Sequence, residues 1–397
     1  MAKFQFTSEI GEADNPVALQ ELFYERGWTD GLPVVPPTPE RVSEFLEASG
    51  CQPSDVIALI PTRNRVINAE KVAINCVMAG CLPSYMPVVI SVLQAMAEPY
   101  YVFHASITST GGAAPFIVVN GPIRNELKMN SGVNVFGPGN RANATIGRAI
   151  RLILINVAGA QPGVLDKSTQ GHPGKYTFCI AEAEEISPWE PFHVEQGFDP
   201  DVSTVTVFAA ESPHGIQNHE SGDPEELLTC IAREMASIGA FTLGQSALVL
   251  SPEHANIIAK SGWSKRQIKE FLFEHSTQTV ADLKRLGKFG RKGIRVEEAK
   301  SMKRGHRPHD DIHYQKLLQL GGELKPEDET TLISRGLVPD DIIMVVAGGA
   351  AGGHSAFIPS WSRARASLFQ IKPIGVCLDC QAPQPDNLEP VIGDLRQ

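Results

Sequence analysis

The chain has 397 residues, enough for two domains of ordinary size, and its 42% hydrophobic and 20% charged residues are the proportions of a soluble globular protein. A formal net charge of −10 argues against a polyanion-binding surface, which excludes nucleic acid as the main partner. The opening residues carry no signal-peptide core and no window reaches the apolar length of a membrane span, so a cytoplasmic protein without a membrane partner is expected.

In chain order, "PVALQELFYERG" (16–27) reads as an amphipathic helix stopped by glycine. After the "DGLPVVPP" turn, Thr38 can cap a helix that begins with Pro39. "DVIALIPT" predicts a buried strand, and "AEKVAINCVMAGC" and "SYMPVVISVLQAMAEP" predict two apolar helices broken at Pro83. "YVFHASIT" and "PFIVVNGP" read as strands from their β-branched and aromatic content. A helix follows from Asn140 to about Val157, apolar around most of its circumference after Arg151, and then a strand in "KYTFCIAEAEE".

The proline-rich "SPWEPF" marks a domain boundary near 187–200, with residues 1–190 as an N-terminal α/β domain and 200–397 as a C-terminal one. Beyond it come the strand "STVTVFAAES", the helix "PEELLTCIAREMASIGA", and "SALVLSPEHANIIAKSG", a strand entering a helix that Ser251 caps and Pro252 begins. The helix "SKRQIKEFLFEH", a basic stretch near 284–313 and the run "PDDIIMVVAGGAAGGHSAFIPSW" complete the pattern. Strands alternating with helices predict an α/β fold with mixed, partly parallel sheets and flanking helices.

Three glycine-rich turns are candidate sites. Gly137 and Gly139 precede a helix, but Ala142 stands where a dinucleotide fingerprint has its third glycine and no acid follows about 20 residues later. A carboxylate or single phosphate suits this turn better, held by Asn140, Arg141, Asn143 and Arg148 at the helix start; the alternative is a plain helix cap with arginines meeting acids. In "VVAGGAAGGHS", Gly348, Gly349, Gly352 and Gly353 have the Walker spacing with His354 in place of lysine, which removes the fixed charge a triphosphate needs. What remains is a backbone nest for an oxyanion, with His354 and Ser355 able to donate hydrogen bonds or move a proton, or else a tight corner under a packed sheet. "TSTGGAAPF" places Thr108 and Thr110 beside Gly111 and Gly112, downstream of His104, and suits a carboxylate.

Seven cysteines in so long a chain fit reduced thiols better than a disulfide framework. Cys76 and Cys81 have apolar neighbours and read as buried thiols, although Cys81 is also a candidate nucleophile. Cys377 and Cys380 have the C-x-x-C spacing of a redox dithiol or half a zinc site. His306, His309, Asp310, Asp311 and His313 are ligand types for a divalent metal. His172, beside Lys175 and Tyr176 in a glycine–proline loop, has the composition of an acid–base site, and His254 lies in the first turn of a helix.

The stretches "GWTDGLPVVPPT", "VMAGCLPSYMPVV", "GPGNRANATIGRA" and "SPWEPF" resemble a bacterial family of enzymes without an assigned reaction, associated with UGSC-like thiol or selenol proteins that are themselves similar to glycine-reductase subunits. The resemblance covers most of the first 275 residues and returns at "VVAGGAAGGHSAFIPSW". It implies an enzyme for a small metabolite, with sulfur or redox chemistry and a small thiol or selenol partner protein. The chain has no U/C-G-S-C motif, and "CLDC" departs from it at both central positions.

The expectation is therefore a homo-oligomeric enzyme for a small anionic substrate, held by the first two turns and Arg141. His354 or His172 would move protons, and Cys81 or Cys377 with Cys380 would supply a thiol for reductive cleavage of a carbon–heteroatom bond. The alternatives are a metal-dependent lyase or hydrolase using His and Asp ligands, and a non-catalytic subunit that presents substrate to a thiol or selenol partner. The sequence identifies no cofactor.

Overall fold

The computed structural model describes residues 4–239, 241, 243–288, 312, 315–316, 320–362 and 367–375. The first half contains α1 (Pro16–Glu25), α2 (Pro39–Ser49), β1 (Val56–Ile60), β2 (Arg65–Asn68), α3 (Ala69–Ala79), α4 (Met86–Ala97), α5 (Phe103–Thr108), β3 (Ala114–Asn120), α6 (Ile123–Glu126), α7 (Arg141–Asn156) and β4 (Cys179–Ala181). Next come α8 (Phe192–Glu195), β5 (Thr204–Ala210), β6 (His214–Gln217), α9 (Pro224–Ser237), β7 (Ser246–Leu250), α10 (Pro252–Lys260) and α11 (Lys265–His275). The chain continues through β8 (Thr277–Thr279), α12 (Val280–Arg285), β9 (Leu332–Ser334), β10 (Ile342–Val346), β11 (His354–Ile358) and β12 (Gln370–Pro373).

Two four-stranded mixed sheets organise the fold, with strand orders β12-β5-β3-β4 and β10-β7-β11-β6. β3 runs parallel to β4 and β10 parallel to β7, while the other neighbours are antiparallel. Alternation along the strands divides the apolar residues between faces. Ile117, Val119, Val205 and Val207 pack on α2, α3, α4 and α7. Phe116, Val118, Phe208 and Ile180 point the other way and share one apolar layer with Val249, Ile343, Val345 and Ile358 of the second sheet. The outer face of that sheet, including Leu248, Met344 and Phe357, is covered by α9, α10 and α11. The order of layers is helices, sheet, sheet, helices, an α/β fold with mixed sheets. The first sheet draws β5 and β12 from beyond the sequence boundary near 187–200. Among the described residues no helix is long and apolar enough to cross a membrane.

Local signals account for most helix ends. Thr38, Asn140, Ser251 and Ser264 each accept a first-turn N–H, and Ser264 and Gln267 form a reciprocal capping box. Residues 101–108, expected as a strand, instead form α5. Phe103, Ser106 and Ile107 are buried at helical spacing, and Val102 enters the turn with φ of 59°. The strand expected in "KYTFCIAEAEE" is shortened to β4 because the acids that follow turn aside. Glu182 and Glu184 accept hydrogen bonds from Asn120, and Glu184 and Glu185 pair with Arg124.

α7 carries much of the first half's packing, and Gly147 is where it comes closest to its neighbours. A Cβ there would lie 2.3 Å from Thr177 Oγ1 and 2.9 Å from Phe178 N. Gly147→Ala is therefore expected to destabilise the protein by about 1–3 kcal/mol through overpacking, read as a lower denaturation midpoint. A midpoint unchanged from wild type would show that α7 stands off from residues 177–178.

Candidate functional site

The third glycine turn and the His172 loop, separate in sequence, meet in the fold. Thr169 N–H donates to Thr110 O at 2.9 Å, and Lys175 Nζ donates to Ala113 O at 3.2 Å. A side chain would be crowded at this contact: a Cβ on Gly112 would lie 3.3 Å from Gly171 Cα, and one on Gly111 would lie 3.0 Å from the Trp361 ring. Ser109 Oγ accepts the Trp361 indole N–H at 2.8 Å and the Gly111 N–H at 2.9 Å, which fixes the turn from its other side. Thr108 donates its hydroxyl to the His104 carbonyl at 3.1 Å, closing the end of α5.

Beneath this contact lies a buried charge cluster. Lys175 Nζ sits 2.7 Å from Asp166 Oδ2 and donates to Ser168 Oγ at 3.0 Å, and Ser168 in turn donates to Asp166 Oδ1 at 2.7 Å. Arg151, from the buried face of α7, donates its Nε–H to the Lys175 carbonyl and brings Nη1 to 3.8 Å from Asp166 Oδ2. Among the described residues the terminal nitrogens of Arg151 make no hydrogen bond. Further along α7, Arg148 forms a two-pronged ion pair with Asp30 at 2.8 and 2.9 Å, and Asp30 also acts electrostatically on Arg151. Arg148, Arg151 and Lys175 face Asp30 and Asp166, so positive charge is in excess within a strongly acidic protein.

Burial pushes the Asp166 carboxyl up, but the hydrogen bonds from Lys175 and Ser168 outweigh it and hold the group below the ordinary aspartate value. Burial lowers both Arg151 and Lys175, each cation also being disfavoured or supported by its neighbours in this cluster. His172 is lowered as well, first by burial and then by the Lys175 charge, which keeps the imidazole neutral near pH 7. Its Nδ1 accepts the Gly174 N–H at 3.2 Å, so the neutral ring carries its proton on Nε2. That Nε2 is buried with no partner at full hydrogen-bonding geometry, although the carbonyls of Gly112 and Ala210 act on the ring as weak acceptors. His104 Nδ1 and Tyr101 Oη are likewise buried and unpartnered, with His104 lowered by burial and by nearby Arg63. Unsatisfied buried polar atoms are uncommon, and two of these three, on His172 and Tyr101, feel the charge of Arg151.

The Gly348–Gly353 turn meets the segment that leads into the first turn: Gly348 N–H donates to Ser131 O at 2.9 Å, and a Cβ on Gly349 would touch Val133. The turn after β10 feeds β11 and not a helix, so it offers phosphates no helix N-terminus. Its nest is filled by the protein itself. The Gly352 and Gly353 N–H groups both donate to Glu253 Oε2, at 2.6 and 2.7 Å, and hold that carboxyl below its usual value. Behind the nest, His254 Nδ1 lies 2.7 Å from Ser355 Oγ, and its Nε2 lies 3.0 Å from the Asn218 carbonyl. The carbonyl can only accept, so Nε2 carries the proton and Ser355 donates to Nδ1. His354 is exposed and packs edge-on against His219.

At the first turn the polar groups serve the scaffold. Asn140 caps α7, Asn143 bridges both backbone groups of Asn130, and Gly137 packs against Asn134. Gly139 takes φ of 125°, and Arg141 donates to the carbonyls of Gly80 and Cys81. The arginines expected to bind substrate thus hold carbonyls and, through Arg148, Asp30. Cys81 is buried and donates to the Thr145 carbonyl; Cys76 and Cys179 are buried too, and burial raises both thiols well above their usual range. Cys377, Cys380, His306, His309, Asp310, Asp311 and His313 lie outside the described residues. Among the described residues, no three His, Cys, Asp or Glu side chains are grouped as metal ligands would be.

Arg151, Asp166 and Ser168 were not singled out from sequence. The available signal was a lone arginine inside the apolar run "AIRLILIN" on α7, since a charge placed there must be buried with a partner. No protein-family model matches the chain, and a search of curated proteins finds no relative.

Proposed function

We propose that the chain is an enzyme that binds a small anionic substrate where the 108–113 turn meets the 168–175 loop. Arg151 and Lys175 attract the anion, and His172 donates a hydrogen bond from Nε2 to the charge that develops during the reaction. The observation that carries this reading is the neutral His172, its Nε2–H buried with no partner at full hydrogen-bonding geometry, set beside an excess of buried positive charge. A neutral imidazole N–H donates a hydrogen bond that stabilises negative charge developing on an oxyanion or leaving group. A neutral imidazole N–H beside buried cations favours cleavage of a carbon–heteroatom bond in which charge develops on oxygen, of lyase or hydrolase type.

A panel of small carboxylates and phosphates, screened by thermal shift on the full chain, tests this. Arg151→Met is expected to weaken the best ligand at least about tenfold, the cost of losing one charge-assisted contact of about 1.4 kcal/mol or more. His172→Gln is expected to keep that affinity and slow turnover of the same compound about a hundredfold. A panel in which no ligand loses affinity in Arg151→Met would overturn the assignment.

A further inference from the structure

A second charged site lies away from this cluster, against the N-terminal end of α11. Lys265 opens the helix and Lys269 follows one turn later on the same face; both are almost fully buried, at 6% and 2% exposure. One carboxylate serves both. Lys265 Nζ donates to Glu195 Oε2 at 3.0 Å, and Lys269 Nζ donates to Glu195 Oε1 while standing 5.8 Å from the centroid of the Phe192 ring. Each ammonium has three N–H groups, and among the described residues each uses only one. Lysines this deeply buried ordinarily satisfy their charge in full, so donors left open here ask for an acceptor.

Both lysines line a cavity of about 470 Å³, a size ordinary for a small-molecule site. Its wall combines the two lysines and Glu195 with Gln245, Val338 and Phe369. Gln245 spends its carbonyl oxygen on the Phe369 N–H at 2.6 Å, which leaves its amide N–H groups as further donors. At the Lys265–Lys269 end two ammoniums meet one carboxylate, a local excess of one positive charge to which the helix N-terminus adds a partial one, while elsewhere on the wall Arg266 pairs with Asp340. Aspartates and glutamates elsewhere on the wall disfavour a second negative charge.

We infer that this cavity binds a small organic monocarboxylate, its carboxylate between Lys265 and Lys269 and its apolar body against Val338 and Phe369. This site is separate from the one proposed around His172. Benzoate is the probe and inorganic phosphate its comparison, both titrated calorimetrically into the full chain. Benzoate is expected to bind saturably with one site at this cavity and more tightly than phosphate at pH 8. Lys269→Met should weaken it at least tenfold, and Val338→Trp, which fills the cavity without touching a charge, should do the same. Arg151→Met should leave it unchanged. The inference is overturned by an absence of saturable benzoate binding, by phosphate binding more tightly, or by benzoate binding that survives Val338→Trp and is lost in Arg151→Met.

Discussion

Lys175→Met is expected to cost about 3–5 kcal/mol of folding free energy, because it strands the Asp166 carboxylate in a site that is only 5% exposed. Arg151 cannot fully replace the lysine, since its nearest nitrogen is 3.8 Å from the carboxylate and its Nε is committed to the Lys175 backbone. Adding Asp166→Asn to the same chain removes the stranded charge, so the double variant should be more stable than Lys175→Met alone, a coupling of opposite sign to simple additivity. Denaturant titration of the four species measures that coupling. Independent, additive losses would mean that the two side chains do not meet. The same pair predicts an acid response. The Asp166 carboxyl is held below its unfolded value, so its contribution is fully present above about pH 3.9 and is lost as pH falls through the folded-state value. In Asp166→Asn that part of the acid sensitivity should disappear.

Much of the scaffold was legible because it is written locally. Pro39 after Thr38 and Pro252 after Ser251 are helix punctuation that acts over a few residues, and both stand where expected. The β-branched runs of β3, β5, β7 and β10 are equally local. Failures came where a distant partner decides. Residues 101–108 have strand-like composition, yet burial of Phe103, Ser106 and Ile107 on one face makes a helix the better fit. In the Gly348–Gly353 turn the open nest read from spacing is real as backbone, but Glu253, about a hundred residues upstream, already occupies it. No local pattern identifies which carboxylate will do so. The His172 loop was recognisable by composition, while its partners could be found only in the fold. Ala113 lies 62 residues before Lys175, and Arg151 comes from another element.

Phe116→Ala is expected to lower stability by about 3–5 kcal/mol, since the residue is 1% exposed and its ring lies, tilted, 4.6 Å from that of Phe178. Its larger consequence concerns the unit that unfolds. Phe116 faces the apolar layer that the first sheet shares with Val249, Ile343 and Val345, so a cavity there weakens the seat of both sheets. β5 and β12, from the second half of the chain, complete the first sheet and tie the halves further. Hydrogen exchange should therefore report faster opening of the amides of β7 and β10 together with those of β3, even though the substitution lies on β3 alone. Protection lost only in the first sheet, with β7 and β10 unchanged, would mean that the halves unfold as separate domains across their shared layer.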